Sequence, residues 1–316
     1  MALFSILINL RALTISAIFW LCASTAFAAT YYIDFDNGND TNSGLTRTSA
    51  LKTIPGTVTS STIDTSTITY LNSSWGPFST ASKVPPGTVF KLKRGTAYSI
   101  QDGGYIWIRS DHYQPATASN PIKFEADLEW GTGPVTFDGQ GMSIPIALFI
   151  IQNDGINFDG KSPGGIDIRN STNEGVQVKE YPSGLAVQDC AFKNMKFFNN
   201  GTSFRSDSAG SGAGQLNLRK VTGCLVDLVE FDGNKSATPL HYINGLLAGD
   251  NYKTVQNLVV SNSSAHDHLG DPEDNDSGIG FKVLNGQATF KNITSYNNLK
   301  GFDLGEQGSN GFDPLG

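Results

Sequence analysis

Short runs in which apolar and polar residues alternate recur along much of the chain: VFKLKRG (89–95), YIWIRS (105–110), PIKFEA (121–126), VTFDG (135–139) and INFDG (156–160). Alternation with a period of two puts one set of side chains on each face of a half-buried strand. Gly, Asn, Ser, Thr and Asp interrupt nearly every longer window, so no long amphipathic helix is expected. The pattern predicts many short strands joined by turns, an all-β chain.

The second half carries a period. FKNMKFFNN (192–200), LVDLVEFDG (225–233), VSNSSAHDH (260–268) and FKNITSYNN (290–298) align without gaps, with Asn194, Asp227, Asn262 and Asn292 as their third residues, at offsets of 33, 35 and 30. A unit of this size cannot bury its apolar side alone and must stack on its neighbours. Strands of fixed length with loops of varying length fit a parallel β-helix, in which like residues fall above like residues at about 4.8 Å. The alignment predicts one ladder of Phe198, Phe231, His266 and Tyr296, and a second of Asn199, Asp232, Asp267 and Asn297. Asn and Asp satisfy their own backbone at turns, which accounts for the second column. A propeller would show four strands per ~40 residues with a recurring blade motif, and none recurs.

Composition narrows the class. The first 28 residues hold one charge, Arg11, an apolar run from Ala12 to Leu21 and the A-x-A pattern Ala26-Phe27-Ala28, which reads as a cleaved secretory signal. The expected organisation is a signal at 1–28, an N-terminal cap and first coils at 29–100, and a β-helix at 101–316. The destination is outside the cytoplasm, extracellular or periplasmic, with no membrane attachment after cleavage. The net charge of −7 repels polyanions at long range and argues against a nucleic-acid partner. An acidic substrate therefore needs a local basic patch or a bridging cation. Cys22 lies in the leader, leaving Cys190 and Cys224, which are one coil apart. Cys190 stands two residues before its repeat and Cys224 only one, and a one-residue slip turns a side chain to the other face. A bridge and two buried thiols both remain open.

YYIDFDNGNDTNSGLTRTSALKTI (31–54), followed by PPGTVFKLKRGTAY (85–98), resembles the opening segment of secreted right-handed parallel β-helix proteins. The likeness is strongest to the polysaccharide lyase group containing family 9 pectate lyases, with alginate and chondroitin lyases as looser relatives. It covers roughly residues 30–100 and 185–305. It implies a right-handed parallel β-helix with an N-terminal capping segment that covers the exposed end of the solenoid. The Asp- and Asn-rich loop after the first strand is read as cap rather than catalyst.

Chemistry concentrates in AHDHLGDPEDNDSGIGFKV (265–283), which faces SYNNLKGFDLGEQG (295–308) on the next coil. Aligning GIGFKV with KGFDLG places Lys282 beneath Asp303 and leaves LGDPEDNDS as an inserted loop, and inserted loops carry function in repeat folds. Asp271, Glu273, Asp274 and Asp276, with Asp303 on the adjacent rung, are hard oxygen ligands of the kind Ca²⁺ takes. The resemblance implies a calcium site at Asp271, Asp274, Asp276 and Asp303. The family's rung reads Asp-Asp-Gly-aromatic-Asp; here Leu299 and Lys300 replace the first two acids, Asp303 matches, and Ile279 stands where the lower rung would carry Asp. Lys282 and Lys300 are the local candidates for the base that removes a proton α to a uronate carboxylate. Lys282 against Asp303 also reads as an ordinary cross-rung ion pair.

Weaker candidates are a zinc site at His266, His268 and Asp271, and a glycan groove lined by His241 and the pair Arg219-Lys220. Trp75, Trp107, Trp130 and Tyr105 are candidate sugar-stacking surfaces or, by default, buried aromatics. The leading functional expectation is β-elimination on an acidic, pectate-like polysaccharide with Ca²⁺ assistance, by a monomer. The alternative is a non-catalytic glycan-binding or surface-interaction β-helix that has lost its site. Hydrolysis by paired acids such as Asp276 and Asp303 is a third. The tail EQGSNGFDPLG carries no amphipathic cap over the last coil, so the chain reads as truncated there.

Overall fold

A computed structural model describes residues 29–59, 69–100, 104–141, 147–181, 184–201, 213–234, 243–250, 253–269 and 278–307. The leader at 1–28 and the acidic loop at 271–277 lie outside them. The described residues form a right-handed parallel β-helix. Almost every strand pairs in parallel with strands one coil before and one coil after it; an antiparallel hairpin, Ser74–Trp75 with Phe78–Ser79, sits in the N-terminal cap. No helix among the described residues is long and apolar enough to cross a membrane.

Three sheets run along the solenoid. The first stacks Val89–Arg94, Ile122–Gly131, Ile156–Asp159, Ala191–Phe198, Leu225–Asp232, Val255–Ser261 and the far end of Ile279–Lys291. The second continues from a turn through Ala97–Ser99, Val135–Asp138, Ile166–Arg169, the far halves of Ala191–Phe198 and Leu225–Asp232, Ser264–His266 and Thr294–Tyr296. The third stacks Ile106–Arg109, Ala147–Gln152, Glu174–Val178, Ala213–Leu218, Ile243–Ala248, the start of Ile279–Lys291, and Lys300–Gln307.

The register sets the true period. Phe90, Phe124, Phe158, Phe192, Val226 and Val260 follow one another at intervals of 34, the spacing between the cysteines as well. The four phenylalanines are buried and stacked, with centroids 5.0, 4.8 and 6.0 Å apart. Parallel rungs about 4.8 Å apart impose that separation, and each aromatic pair adds about 0.5–1.5 kcal/mol beyond its burial.

The ladders expected from sequence are off by one residue in one coil. Phe198 pairs with Asp232, and Asp232 with His266 and then Tyr296, while Phe231 belongs to the inward column between Phe197 and Ala265. Gly233, not Asp232, therefore stands between Asn199 and Asp267. The same shift puts Cys224 two residues before its repeat, level with Cys190, and the two are disulfide-bonded with Cα atoms 4.5 Å apart.

Asn and Asp hold the turns. Asn194, Asn262 and Asn292 have φ of 55°, 49° and 51°, and Asn170, Asn199, Asp267 and Asn297 likewise lie in the left-handed region. Their side chains link successive coils: Asn292 Nδ2 donates to Asn262 Oδ1 at 2.8 Å and Asn199 Nδ2 to Asn170 Oδ1 at 3.0 Å. These are residues that tolerate positive φ, which β-branched and bulky side chains adopt only at a cost.

The opening segment caps the first coil. Thr30–Ile33 adds a parallel strand beside Val89–Arg94 and covers its edge. Its acids are spent on backbone: Asp34 accepts from the amides of Asp36 and Asn37 and from Lys93 Nζ, and Asp40 from the amides of Lys52 and Thr53 and from Asn72. This is turn chemistry rather than a ligand cage.

Candidate active site

The third sheet alternates. Phe149, Val176, Leu216, Leu246 and Phe281 stack inward, as do Ile108, Ile151, Val178, Leu218, Ala248 and Val283. The residues between them, Trp107, Ile150, Gln177, Asn217, Leu247, Lys282 and Asp303, share one outward column. Two positions further along the strands come Arg109, Gln152, Lys179 and Arg219, which the period-two rule places on the same outer face.

There the surface opens into a cleft of about 660 Å³ lined by Trp107, Arg109, Gln152, Lys179, Glu180, Tyr181, Gly184, Arg219 and Lys253. It brings together four cations, each from a different coil, on a chain whose net charge is negative. Trp107 is the floor: buried, its Nε1 donates to Gln152 Oε1 at 2.8 Å, and Arg109 and Lys179 sit over its ring at 4.7 and 5.6 Å. An aromatic face attracts cations and holds both in place.

The cations differ in how they are neutralised. Arg109 pairs with Asp111 at 3.1 Å, Arg219 with Asp250 at 3.0 Å, and Lys253 with Glu180. Burial alone would raise the Glu180 carboxyl, but the Lys253 hydrogen bond and the nearby cations bring it below the usual carboxylate range. Lys179 Nζ has no carboxylate or hydrogen-bond partner among the described residues. Burial, and then the positive charge of Arg219, hold its ammonium below the ordinary lysine range. At the cleft edge Tyr181 accepts a hydrogen bond from the Asp154 amide at 3.0 Å, and burial pushes its phenol up to about 12.

No family model and no curated protein matches the chain. Solved structures do. A pectate lyase, Pel9A, superposes with a TM-score of 0.51 at 18% identity over 88% of this chain and 66% of that one. At this identity the likeness is one of fold, the parallel β-helix. This chain spans just under two thirds of the pectate lyase's length. A rhamnogalacturonan lyase aligns over 86% of this chain and 69% of its own, at 15% identity and a TM-score of 0.43. An alginate lyase from Paenibacillus sp. str. FPU-7 aligns over 65% and 70%, at 17% identity and 0.29.

Of the residues singled out in the sequence, Lys282 and Asp303 fall on the same outer face. Lys282 lies in register with Leu247 and Asp303, as the alignment predicts, and is fully buried. Lys300 is partly exposed, in the column of Ile279, Asn244, Gly214 and Glu174. Asp271, Asp274, Asp276 and Glu273 lie outside the described residues, as does His241. Among the described residues the expected calcium set is represented by Asp303 alone, and one carboxylate is far short of the six to eight oxygens Ca²⁺ takes.

The histidine pair does not share a face. Asp267 between them has a φ of 59°, which turns the chain. His266 points outward and stacks on Tyr296, while His268 points inward, fully buried, with Nδ1 2.9 Å from Asn298 Oδ1 and Nε2 2.9 Å from the Gln215 amide. Trp75 and Tyr105 are buried like Trp107, and the partly exposed Trp130 lies under Lys93 at 5.7 Å. Of the pair Arg219-Lys220, Arg219 lines the cleft and Lys220 donates to the Gly184 carbonyl at 2.6 Å. Arg109, Lys179, Glu180, Tyr181 and Lys253 are cleft residues that the sequence reading missed.

Proposed function

We propose that the protein is a polysaccharide lyase that binds an acidic, pectate-like polysaccharide along this cleft and cleaves it by β-elimination. The observation that carries the reading is the gathering of Arg109, Lys179, Arg219 and Lys253 from four coils into one cleft, with Lys179 alone of the four in no ion pair among the described residues. A polyuronate laid parallel to the solenoid axis passes Arg109, the neutral Gln152, and then Lys179 and Arg219 on neighbouring rungs. Lys179 Nζ, in its neutral form, takes the proton α to the uronate carboxylate; the electron pair forms the new C=C bond as the β C–O bond breaks, and the departing oxygen takes a proton from water. Arg109, Arg219 and Lys253 offset the charge that grows on the carboxylate, an electrostatic role that is strongest in a desolvated cleft. Lys179 is preferred to Lys282 and Lys300 as the base because it opens onto the cleft while Lys282 is fully buried.

Calcium assistance at Asp303 and the acidic loop belongs to the same reading, and no step above depends on it. The Cys190–Cys224 bridge supports action outside the cytoplasm, where disulfides persist, in keeping with the leader-like first 28 residues. The test is incubation of the protein with polygalacturonate, alginate and chondroitin, each with Ca²⁺ or with chelator. Unsaturated, ultraviolet-absorbing chain ends on one of them support the lyase. Tight binding without new ends would leave a glycan-binding module, and new reducing ends without unsaturation would mean hydrolysis.

A further inference from the structure

A second group of ligating side chains lies on the outer face of the second sheet, apart from the cleft. Glu230 and Asp232 belong to Leu225–Asp232, and His266 to Ser264–His266 on the next coil, with Asp232 and His266 in register. One donor atom from each lies within 4.8 Å of the other two. His266 Nδ1 is 2.9 Å from Asp267 Oδ2, and its Nε2 is 3.1 Å from Glu230 Oε1. The ring is also fixed by stacking on Tyr296, with centroids 4.7 Å apart and planes 11° from parallel.

This geometry raises a question of charge. If Nδ1–H donates to Asp267, neutral Nε2 turns a lone pair toward a carboxylate oxygen, an arrangement that only a proton or a cation between them stabilises. Two ligand atoms each about 2.0–2.2 Å from a tetrahedral ion stand roughly 3.2–3.6 Å apart; the Nε2–Glu230 pair needs a shift of a few tenths of an ångström, while Asp232, whose Oδ1 is 3.9 Å from Nδ1, must swing toward Nε2 to complete the set. A carboxylate on the second imidazole nitrogen is the usual outer partner of a metal-bound histidine. Lys196 also brings positive charge to the group, with Nζ 2.9 Å from Glu230 Oε1 and 3.0 Å from Asp232 Oδ2. Three carboxylates, Glu230, Asp232 and Asp267, thus surround one ammonium and one imidazole.

We propose that Glu230, Asp232 and His266 bind a divalent transition-metal ion of the zinc class, which displaces Lys196 and clips two successive coils together. A mixed nitrogen and carboxylate set suits Zn²⁺ and not Ca²⁺, which takes oxygen ligands. The test is calorimetric titration of the metal-free chain with ZnCl₂, with CaCl₂ as contrast. The expected result is one Zn²⁺ equivalent that is lost in His266→Ala and weakened roughly 10–100-fold in Asp267→Asn, a change that keeps the turn but removes the outer carboxylate. Lys196→Met removes the competing ammonium and tightens binding by up to about fivefold, the worth of one partly exposed ion pair. Zn²⁺ also raises the unfolding temperature of the unsubstituted chain and not that of His266→Ala, whose fold is checked by far-ultraviolet circular dichroism. No Zn²⁺ uptake, or uptake unchanged in His266→Ala, overturns the proposal.

Discussion

Leu228 offers a sharp test of the register, because it is the one break in an asparagine column. It lies between Asn194 below and Asn262 above, with Asn292 beyond, and shares their left-handed backbone at a φ of 55°. It is 42% exposed, so its side chain contributes little to the core. A non-glycine residue held there costs roughly 1–2 kcal/mol, less for Asn, whose short polar side chain bonds locally. Leu228→Asn relieves most of that cost and adds a donor able to reach Asn194 Oδ1, as Asn292 reaches Asn262; one such bond contributes about 0.5–1.5 kcal/mol net. The expected gain is about 1–2 kcal/mol, or ~2–4 °C in Tm at ~2 °C per kcal/mol for a large domain. Urea and thermal unfolding of the Asn, Gly, Ala and Leu forms measure it. Asn and Gly should exceed Leu, since both accept positive φ, while Ala should not. An Asn form no more stable than the Ala form would refute the assigned register and the strain argument together.

Other outcomes follow from the same structure. Phe158→Ala, in the middle of the stacked ladder, should cost about 3–5 kcal/mol in urea unfolding, and a cost below about 1 would mean that the ladder is not packed as described. Reducing the Cys190–Cys224 bridge, which closes a loop of 34 residues, should lower stability by about 3–4 kcal/mol, read as a drop in the unfolding midpoint under reductant. Burial holds the His268 imidazole down at about 4, below its unfolded value of 6.5. The unfolded chain therefore binds the proton first, so stability is full above pH ~6.5, is lost as pH falls toward ~4, and the loss approaches about 3 kcal/mol. His268→Gln should flatten that stretch of the pH–stability curve.

The fold was legible in the sequence because alternation and period survive in strands of fixed length. VFKLKRG, PIKFEA, INFDG and FKNM all carry a phenylalanine at the same rung position, 34 residues apart, and that spacing alone extends the repeat from the second half to the first. It was hidden by Leu228: matching asparagines drew Asp227 into a column that belongs to Leu228, and the coil slipped by one. With the slip removed, the cysteines fall level and the bridge follows from spacing.

The candidate site was much less legible. The acidic loop is conspicuous in composition, whereas Arg109, Lys179, Arg219 and Lys253 are scattered along the chain. They stand at or just beyond the ends of third-sheet strands, and the loops leading into those strands vary, so Trp107, Ile150, Gln177, Asn217, Leu247 and Lys282 form one column at irregular intervals. No fixed period can find them. A local signal does exist, since FIIQ, VQVK and LNLR each end a buried run with a polar or basic residue at the same place in the coil.

Lys179 is proposed to remove the proton in the cation-lined cleft. The direct measurement compares Lys179→Met with the unsubstituted protein on whichever polyuronate yields unsaturated ends, while binding of the same polymer is followed by affinity electrophoresis. The account predicts a loss of elimination of about 10²–10⁴-fold with binding largely kept, and, in the unsubstituted protein, a rate that rises with pH as the ammonium gives up its proton. Unsaturated ends formed at an undiminished rate by Lys179→Met would contradict it.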